Sequence, residues 1–377
     1  MRVCLVTSAY RPYLSGVGEH VHNLALALTR LGHDIHVLTA NYPVPRTPYL
    51  APRAPFPVSR LGRALVLPAY GGHFTLPVGL RLNSRVKQFF AGNRFDVVHC
   101  HGIFPPEICY YAALHSPAPV VVTFHSLVAR LPGFIRSGFR ALFPALRRKV
   151  KARIAVSEPE RAWTQNWFPG ECRVIPNGVD TTRFTPDARP ARPRTDNEPT
   201  VLYVSRLDER KGILVLLRAM PRVLAEFPRC RLLVVGSGPL LEKCNRLCAE
   251  SRLTAAVEFA GPVPPDDLPG WYASATAFAA PALGPESMGI ILVEAMASGV
   301  PVVATDLAGY RTVVTHGSDG LLVPPGDAHA LATSLLALLR NSDLRGRLRD
   351  SGRKRSLEFA WPEIARGVEE VYGEAVK

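Results

Sequence analysis

At 377 residues the chain exceeds one ordinary domain and fits two. Hydrophobic residues at 47% beside charged residues at 20% exclude a disordered or fibrous chain, and no apolar run reaches the ~18 residues of a membrane-spanning helix. A formal net charge of +14 attracts phosphorylated metabolites, anionic lipid or nucleic acid alike, and does not choose among them.

The first residues, MRVCLVTSAY, read as a strand over 2–6 and a polar loop, without the long apolar region of a signal peptide. The loop, 7–18, carries Ser15-Gly16-Val17-Gly18 and leads to a helix over 20–31, with Val21, Leu24, Leu28 and Leu31 at helical spacing before Gly32. A strand follows at 35–39. Glycines at the first turn of such a β-loop-α-β unit sit where a doubly wound sheet receives phosphate. The pattern is not G-x-G-x-x-G, so no dinucleotide fingerprint is met.

Residues 41–79 are rich in Pro and Arg and predict a long, partly irregular excursion. Buried strands are expected at 95–100 and 120–124. They end at His99, His101 and His125, and ligands of open parallel sheets gather at the carboxyl ends of strands. Each is equally a satisfied structural histidine when taken alone. Residues 131–153 are the most basic stretch, with Arg136, Arg140, Arg147, Arg148, Lys149, Lys151 and Arg153 among apolar residues at helical spacing. They predict a basic amphipathic helix, suited to an anionic membrane surface or to an ordinary solvated face. Short strands at 153–156 and 173–175 precede a turn at 176–180. The Pro-rich, charged segment 186–199 reads as the linker, dividing the chain into domains 1–185 and 200–358 and a tail, 359–377.

The second half restarts the alternation. Strands are expected at 201–204, 231–235, 257–260, 277–280, 300–304 and 320–323. Helices are expected at 212–227, 240–251, 265–274, 288–297 and from 328 onward, and a last amphipathic helix at 361–372. Right-handed crossovers then predict an α/β chain of two Rossmann-like, doubly wound domains facing across a cleft. Seven cysteines are scattered without a C-x-x-C pair. Cys244 and Cys248, one helical turn apart, read as packed thiols, and the odd count points to a reducing compartment.

Two places carry chemistry. Residues 281–305, PALGPESMGIILVEAMASGVPVVAT, put Glu286 in a Pro/Gly loop and Glu294 in an apolar helix. A carboxylate inside such a pattern needs a partner, and a loop-to-helix junction suits an anion. Together they predict a phosphorylated ligand whose hydroxyls the acids read. Arg206 and Lys211, in VSRLDERKGI between a strand and a helix, form a site for a diphosphate, with Gly212 allowing close backbone approach.

With these residues in view the chain resembles the family 4 glycosyltransferases, retaining enzymes of two Rossmann-like domains (the GT-B fold) that use nucleotide-sugar donors. The likeness covers nearly the whole chain. It runs in order through Ser15-Gly16-Val17, FDVVHCH, VTFHS, IPNGVD, SRLDERKG and the E-x7-E pair Glu286 and Glu294, and the tail resembles the family's final helix, which returns to the N-terminal domain. The resemblance implies that Arg206 and Lys211 neutralise the donor diphosphate and that Gly16 brings N–H groups to it. It implies that Glu286 binds hydroxyls of the transferred sugar, Glu294 the ribose, and His125 the donor sugar. The N–H groups of Met288, Gly289 and Ile290 would contact sugar or phosphate, and Gly236 and Val263 complete the donor-binding set. No cofactor or metal is implied, since Arg and Lys stand in for the metal and no Asp-x-Asp occurs.

Two positions depart from the family pattern: Ser15-Gly16 replaces the usual two glycines, and Leu307-Ala308-Gly309-Tyr310-Arg311 replaces a glycine-then-acid pattern, a region of acceptor contact or packing. Within the family the motifs look most similar to the phosphatidylinositol mannosyltransferase branch, which uses GDP-mannose at the inner membrane face. This implies a cytoplasmic, peripheral enzyme and gives the basic stretch 131–153 a purpose. UDP-hexose donors and soluble or polysaccharide acceptors stay open. An epimerase or phosphorylase of the same architecture, a non-catalytic nucleotide-sugar binder and a nucleic-acid binder are the rival readings. A phosphorylase needs a lysine for pyridoxal that cannot be placed. A nucleic-acid binder needs aromatics interleaved with the basic residues, which this chain lacks.

Overall fold

The computed structural model describes residues 1–12, 15–41, 54–69, 72–78, 81–103, 107–125, 146, 148–166, 168–193 and 198–377, with backbone alone over 64–69 and 72–78. The chain divides into two compact units, Met1–Gly178 with Trp361–Lys377, and Val179–Ala360.

The first unit is built on eight described strands: β1 (Arg2–Thr7), β2 (Asp34–Asn41), β3 (Val58–Ala69), β4 (Gly72–Val78), β5 (Val97–His101), β6 (Val120–Phe124), β7 (Val150–Ala155) and β8 (Arg173–Val174), in the order β4-β3-β2-β1-β5-β6-β7-β8. All neighbours are parallel except β3 and β4. The central strands are apolar on both faces, as a covered parallel sheet requires. Val3, Leu5, Val37, Val97 and Val121 face α1 (Gly16–Arg30) and α11 (Trp361–Ala375). Cys4, Val6, Leu38, Val98 and Val122 face α2 (Leu82–Gly92) and α3 (Ile108–His115). A further helix, α4 (Glu158–Gln165), follows β7. In α11, Trp361, Ile364, Ala365, Val368, Val371, Tyr372 and Ala375 recur every three or four residues and are buried. Each large side chain among them adds about 1.5–3 kcal/mol, so the chain's last helix is part of the first unit's core.

Several expectations change. Within the expected excursion, 42–53 lies outside the described residues, and Val58–Ala69 and Gly72–Val78 form a regular antiparallel pair. Pro68 and Pro77 hid it from pattern reading. Pro77 lies on the edge strand and Pro68 beyond the β2 pairing, where a missing N–H costs no ladder bond. Most of the basic helix predicted over 131–153, namely 131–145 and 147, lies outside the described residues. Its end is corrected: Val150 begins strand β7, and Lys149 Nζ donates to the Ser116 carbonyl (3.3 Å) and to that of Leu114. The helix expected from 20 starts at Gly16, because Ser15 Oγ accepts the Gly18 N–H at 3.0 Å and caps it.

The second unit is a six-stranded parallel sheet in the order β11-β10-β9-β12-β13-β14. Its strands are β9 (Thr200–Val204), β10 (Arg231–Val235), β11 (Val257–Gly261), β12 (Ala277–Ala280), β13 (Val302–Thr305) and β14 (Leu321–Val323). Its helices are α5 (Ile213–Glu226), α6 (Leu241–Glu250), α7 (Leu268–Ala273), α8 (Ile290–Ala297), α9 (Ala328–Arg340) and α10 (Ser342–Leu357). Val201, Tyr203, Val234 and Val303 pack on one face with α5 and α9, and Leu202, Leu233, Phe278 and Val302 on the other with α8. Cys244 and Cys248 are free thiols in the first of these cores, as the expected packed pair.

The division between the units falls at Gly178/Val179, ahead of the predicted linker. Residues 179–193 are stitched to the second unit. The Val179 N–H donates to the Phe359 carbonyl at 2.8 Å, and Arg353 reaches the carbonyls of Thr181 (3.1 Å) and Phe184 (3.3 Å). The Ala191 N–H donates to Gly270 at 2.9 Å, and Arg192 lies over the Trp271 ring and pairs with Glu258. Pro and charge density suggested a tether; here Ala191 and Arg192 are anchored to the second unit.

Candidate functional site: the rim of the second sheet

In the second unit β9 runs on to β10 on one side, while β12 flanks it on the other. Strand order reverses there, and the crevice at the carboxyl ends of β9 and β12 is the ligand position of an open α/β sheet. The loops leaving those strands hold both motifs of interest. After β9, Asp208 adopts an extended conformation, and its Oδ1 accepts the Lys211 N–H at 3.0 Å, capping a 3-10 turn over Glu209–Lys211. Arg206 Nη2 lies 3.3 Å from the buried Asp208 Oδ2. Gly212 ends the turn at φ +70°, and a Cβ there would stand 1.8 Å from the Pro281 carbonyl oxygen, so only glycine lets the two loops meet.

After β12 the chain brings Glu286 onto this turn. Lys211 Nζ donates to Glu286 Oε1 at 2.8 Å, and Arg210 Nη1 donates to the same oxygen. Glu286 is buried, so the two cations supply the pairing its carboxylate needs. Burial holds the Lys211 ammonium below its ordinary pKa, with Glu286 acting in the opposite direction and Arg210 reinforcing burial. Three cations (Arg206, Arg210, Lys211) thus stand with three carboxylates (Asp208, Glu209, Glu286) along a few residues of loop, and Glu209 is itself paired with Lys243. Gly309, after β13, supports the loop from behind: a Cβ there would lie 1.8 Å from the Glu286 carbonyl oxygen. The buried Tyr310 ring lies under Gly289, where a Cβ would come within 2.5 Å of it.

Helix α8 begins at Ile290, two residues later than expected, because Gly289 takes φ +89°. Both α8 and α5 start on a left-handed glycine with no side-chain cap, so their first-turn N–H groups are directed at the rim. The Met288 side chain is buried in the core beneath. Glu294 lies within α8 and accepts from Tyr272 Oη at 2.9 Å; burial, then the carboxylate, pushes the Tyr272 phenol well up. Gly236, at φ +128°, lets the loop after β10 pass the Ser205 carbonyl oxygen, which a Cβ would meet at 2.0 Å. Val263, half-buried, packs against the same core.

The structure therefore brings Arg206, Lys211, Glu286, Met288, Gly289 and Ile290 to one rim, with Gly236 on the adjoining loop and Glu294 on the helix behind. Gly16 and His125 belong to the first unit. Gly16 is the first residue of α1, with nothing within 4 Å of where a Cβ would stand. His125 follows β6, and its Nε2 is 2.9 Å from His101 Nδ1; the His20 ring stands edge-on to it, 4.6 Å between centroids. Ring nitrogens of His20, His101 and His125 all lie within 4.8 Å of one another, a spacing one ion can bridge, although two of them are already joined by the His101–His125 hydrogen bond. His99 is satisfied on both sides, by Tyr372 Oη and Thr123 Oγ1, each at 2.7 Å, and is structural. Burial pushes the imidazoles down, His125 to about 4 and His99 to about 3, so both are neutral at physiological pH.

Sequence reading missed Arg210 and Asp208, and had Gly309 and Tyr310 only within a region of acceptor contact or packing. Arg210 was visible as the third cation of the run from Arg206 to Lys211. Asp208 was visible as an extended N-cap three residues before Lys211.

The chain matches the family described as "Glycosyltransferase Family 4" over residues 14–183 and that described as "Glycosyl transferases group 1" over 184–355. A phosphatidyl-myo-inositol mannosyltransferase of Mycolicibacterium smegmatis is 34% identical over 99% of this chain and 93% of its own length. Among solved structures, a sucrose-phosphate synthase from Thermosynechococcus elongatus superposes with a TM-score of 0.76 at 25% identity, over 99% of this chain and 98% of its own. A glycosyltransferase from Rickettsia africae gives 0.80 at 19% identity, over 100% and 98%.

Proposed function

The chain belongs to the family 4 glycosyltransferases, and we propose that it moves mannose from GDP-mannose, with retention of configuration, to a hydroxyl of a phosphatidylinositol-type lipid. One observation carries the reading: Glu286 is held by Lys211 and Arg210 at the switch-point rim, beside Arg206. The full-length likeness to a phosphatidyl-myo-inositol mannosyltransferase supports the choice of sugar and lipid.

In this reaction the bond between the anomeric carbon and the donor's β-phosphate oxygen breaks, and the acceptor oxygen bonds to that carbon from the same face. The acceptor proton passes to the departing phosphate. Arg206 and Lys211 stabilise the charge that grows on the diphosphate, preorganised by Asp208 and the turn it caps. Glu286 accepts from hydroxyls of the transferred sugar, and Glu294, steadied by Tyr272, from the ribose. His125 and Gly16 take the roles the resemblance gives them, a hydrogen bond to the donor sugar and backbone N–H groups for phosphate. The cationic loop serves in place of a metal ion.

Among the described residues no helix is long and apolar enough to cross a membrane. We place the enzyme at the cytoplasmic face of the membrane, held by the basic residues of 131–148, ahead of β7.

The test is transfer from radiolabelled GDP-mannose to phosphatidylinositol vesicles, beside UDP-glucose, UDP-galactose and UDP-N-acetylglucosamine. An α-mannosyl lipid formed at a rate that EDTA leaves within about twofold is the expected product. Transfer only from a UDP-sugar, to a soluble glycan, would replace the lipid reading with the glycan one. Loss of activity on chelation would overturn the metal-free mechanism.

A further inference from the structure

We infer that Arg210 is the positioning residue of the sugar-binding loop: it fixes the Glu286 carboxylate for the sugar hydroxyls while Lys211 turns to phosphate. This deepens, and rests on, the donor reading above.

Arg210 is tied to four consecutive residues of the loop. Its carbonyl oxygen accepts the Leu283 N–H at 2.7 Å and the Gly284 N–H at 3.3 Å. Its side-chain stem fills the space over Gly284, where a Cβ would stand 2.4 Å from Arg210 Cγ. Its guanidinium donates to the Pro285 carbonyl at 3.2 Å and to Glu286 Oε1. Lys211 has one bond to the same carboxylate, at 2.8 Å, and a short path to any anion at the rim. A diphosphate competes with Glu286 for Lys211, because each is an anion seeking the same ammonium. It does not compete for Arg210 in the same way, since the guanidinium is already committed in two directions and its stem is wedged against Gly284. When donor binds, Glu286 therefore keeps one cation. That cation keeps the carboxylate in place as an acceptor for hydroxyls and holds its loop in register. Arg210 touches the donor only through Glu286 and so acts on the sugar, not on the nucleotide.

The test is a double-mutant cycle of Arg210→Met and Glu286→Gln, with Arg210→Lys as the conservative variant. The probes are GDP, by calorimetry, and the transferring nucleotide sugar, by single-turnover kinetics. Arg210→Met is expected to bind GDP within about threefold of wild type and to lose about 10–100-fold in kcat/KM, the range of a charged hydrogen bond. Arg210→Lys should recover part of that loss. In the Glu286→Gln background, removing Arg210 should cost less than about threefold. Equal losses in both backgrounds, or a fall in GDP affinity matching that in kcat/KM, would overturn the inference while leaving the donor reading intact. A wild-type protein indifferent to every nucleotide sugar overturns both. If Arg210→Met fails to fold, the Arg210→Lys cycle reads the same coupling.

Discussion

His125 should work as a neutral imidazole throughout the physiological range, and acidification separates that role from a titrating base. Burial lowers its pKa from the ordinary value of 6.5 to about 4, with a hydrogen bond to Asn177 opposing the shift. At about 1.36 kcal/mol per unit, the neutral form is favoured by about 3.4 kcal/mol over a solvated imidazole. At pH 5.5 an unshifted histidine would be about 10% neutral, and one with pKa near 4 about 97% neutral. The kcat/KM for donor, measured from pH 8 to pH 5.5 at constant ionic strength, should show no limb near 6.5 that belongs to this residue. A tenfold fall centred near 6.5 that disappears in His125→Gln would refute the assignment. The same shift sets the direction of a stability change. A base whose folded pKa is depressed binds its proton only when unfolded, so its contribution is complete above 6.5 and is lost as pH falls from 6.5 toward 4. His99, pushed to about 3, loses stability over the same interval. Each costs about 1.36 kcal/mol per pH unit there. His20, His22 and His101, also lowered by burial, act in the same direction. Glu107 and Glu160, raised by burial to about 8 and about 7, oppose them, so the thermal midpoint should show a net drop between pH 6.5 and 4.5. A midpoint that stays level across that interval would show that these imidazoles are not buried as neutral species.

Two glycine substitutions probe the rim and the first unit separately. Gly309→Ala carries no backbone strain, yet its methyl would stand 1.8 Å from the Glu286 carbonyl oxygen; we expect about 1–3 kcal/mol of destabilisation and about a 100-fold loss of transfer, and wild-type kcat would show that the loop yields freely. Gly16→Ala meets nothing within 4 Å, so its thermal midpoint should match wild type while kcat/KM falls by at least about tenfold as the methyl blocks phosphate approach; unchanged kinetics would remove Gly16 from the donor site.

Most of the fold was legible because its central strands are short apolar runs. Residues 120–124, 231–235 and 277–280 emerge with the bounds expected. What escaped was structure decided by partners far along the chain. The pair β3 and β4 is stabilised by its own ladder, which outweighs the Pro and Gly that argue locally against strands. Residues 186–199 read as a tether until Arg192 is known to lie over Trp271 and to pair with Glu258. No local pattern encodes contacts so far along the chain.

The site shows the same limit at finer grain. Arg206, Lys211 and Glu286 could be named from chemistry and resemblance, since each had to serve a phosphate or a hydroxyl. Arg210 was visible as a cation but its role was not, because that role is set by how the 283–286 loop folds onto it. Glu286 illustrates what that adds. As a residue in a sequence it was a carboxylate in need of a partner; in the fold it has two, of different kinds. Lys211 makes a single bond to the carboxylate and is lowered in pKa by burial. Arg210 is wedged, and it bonds to backbone as well as to the carboxylate. A site that must release one cation to an arriving diphosphate, and still hold an acid ready for sugar, needs this asymmetry. Two lysines would leave Glu286 without a fixed partner once the donor bound, and two wedged arginines would leave no cation able to move to the phosphate.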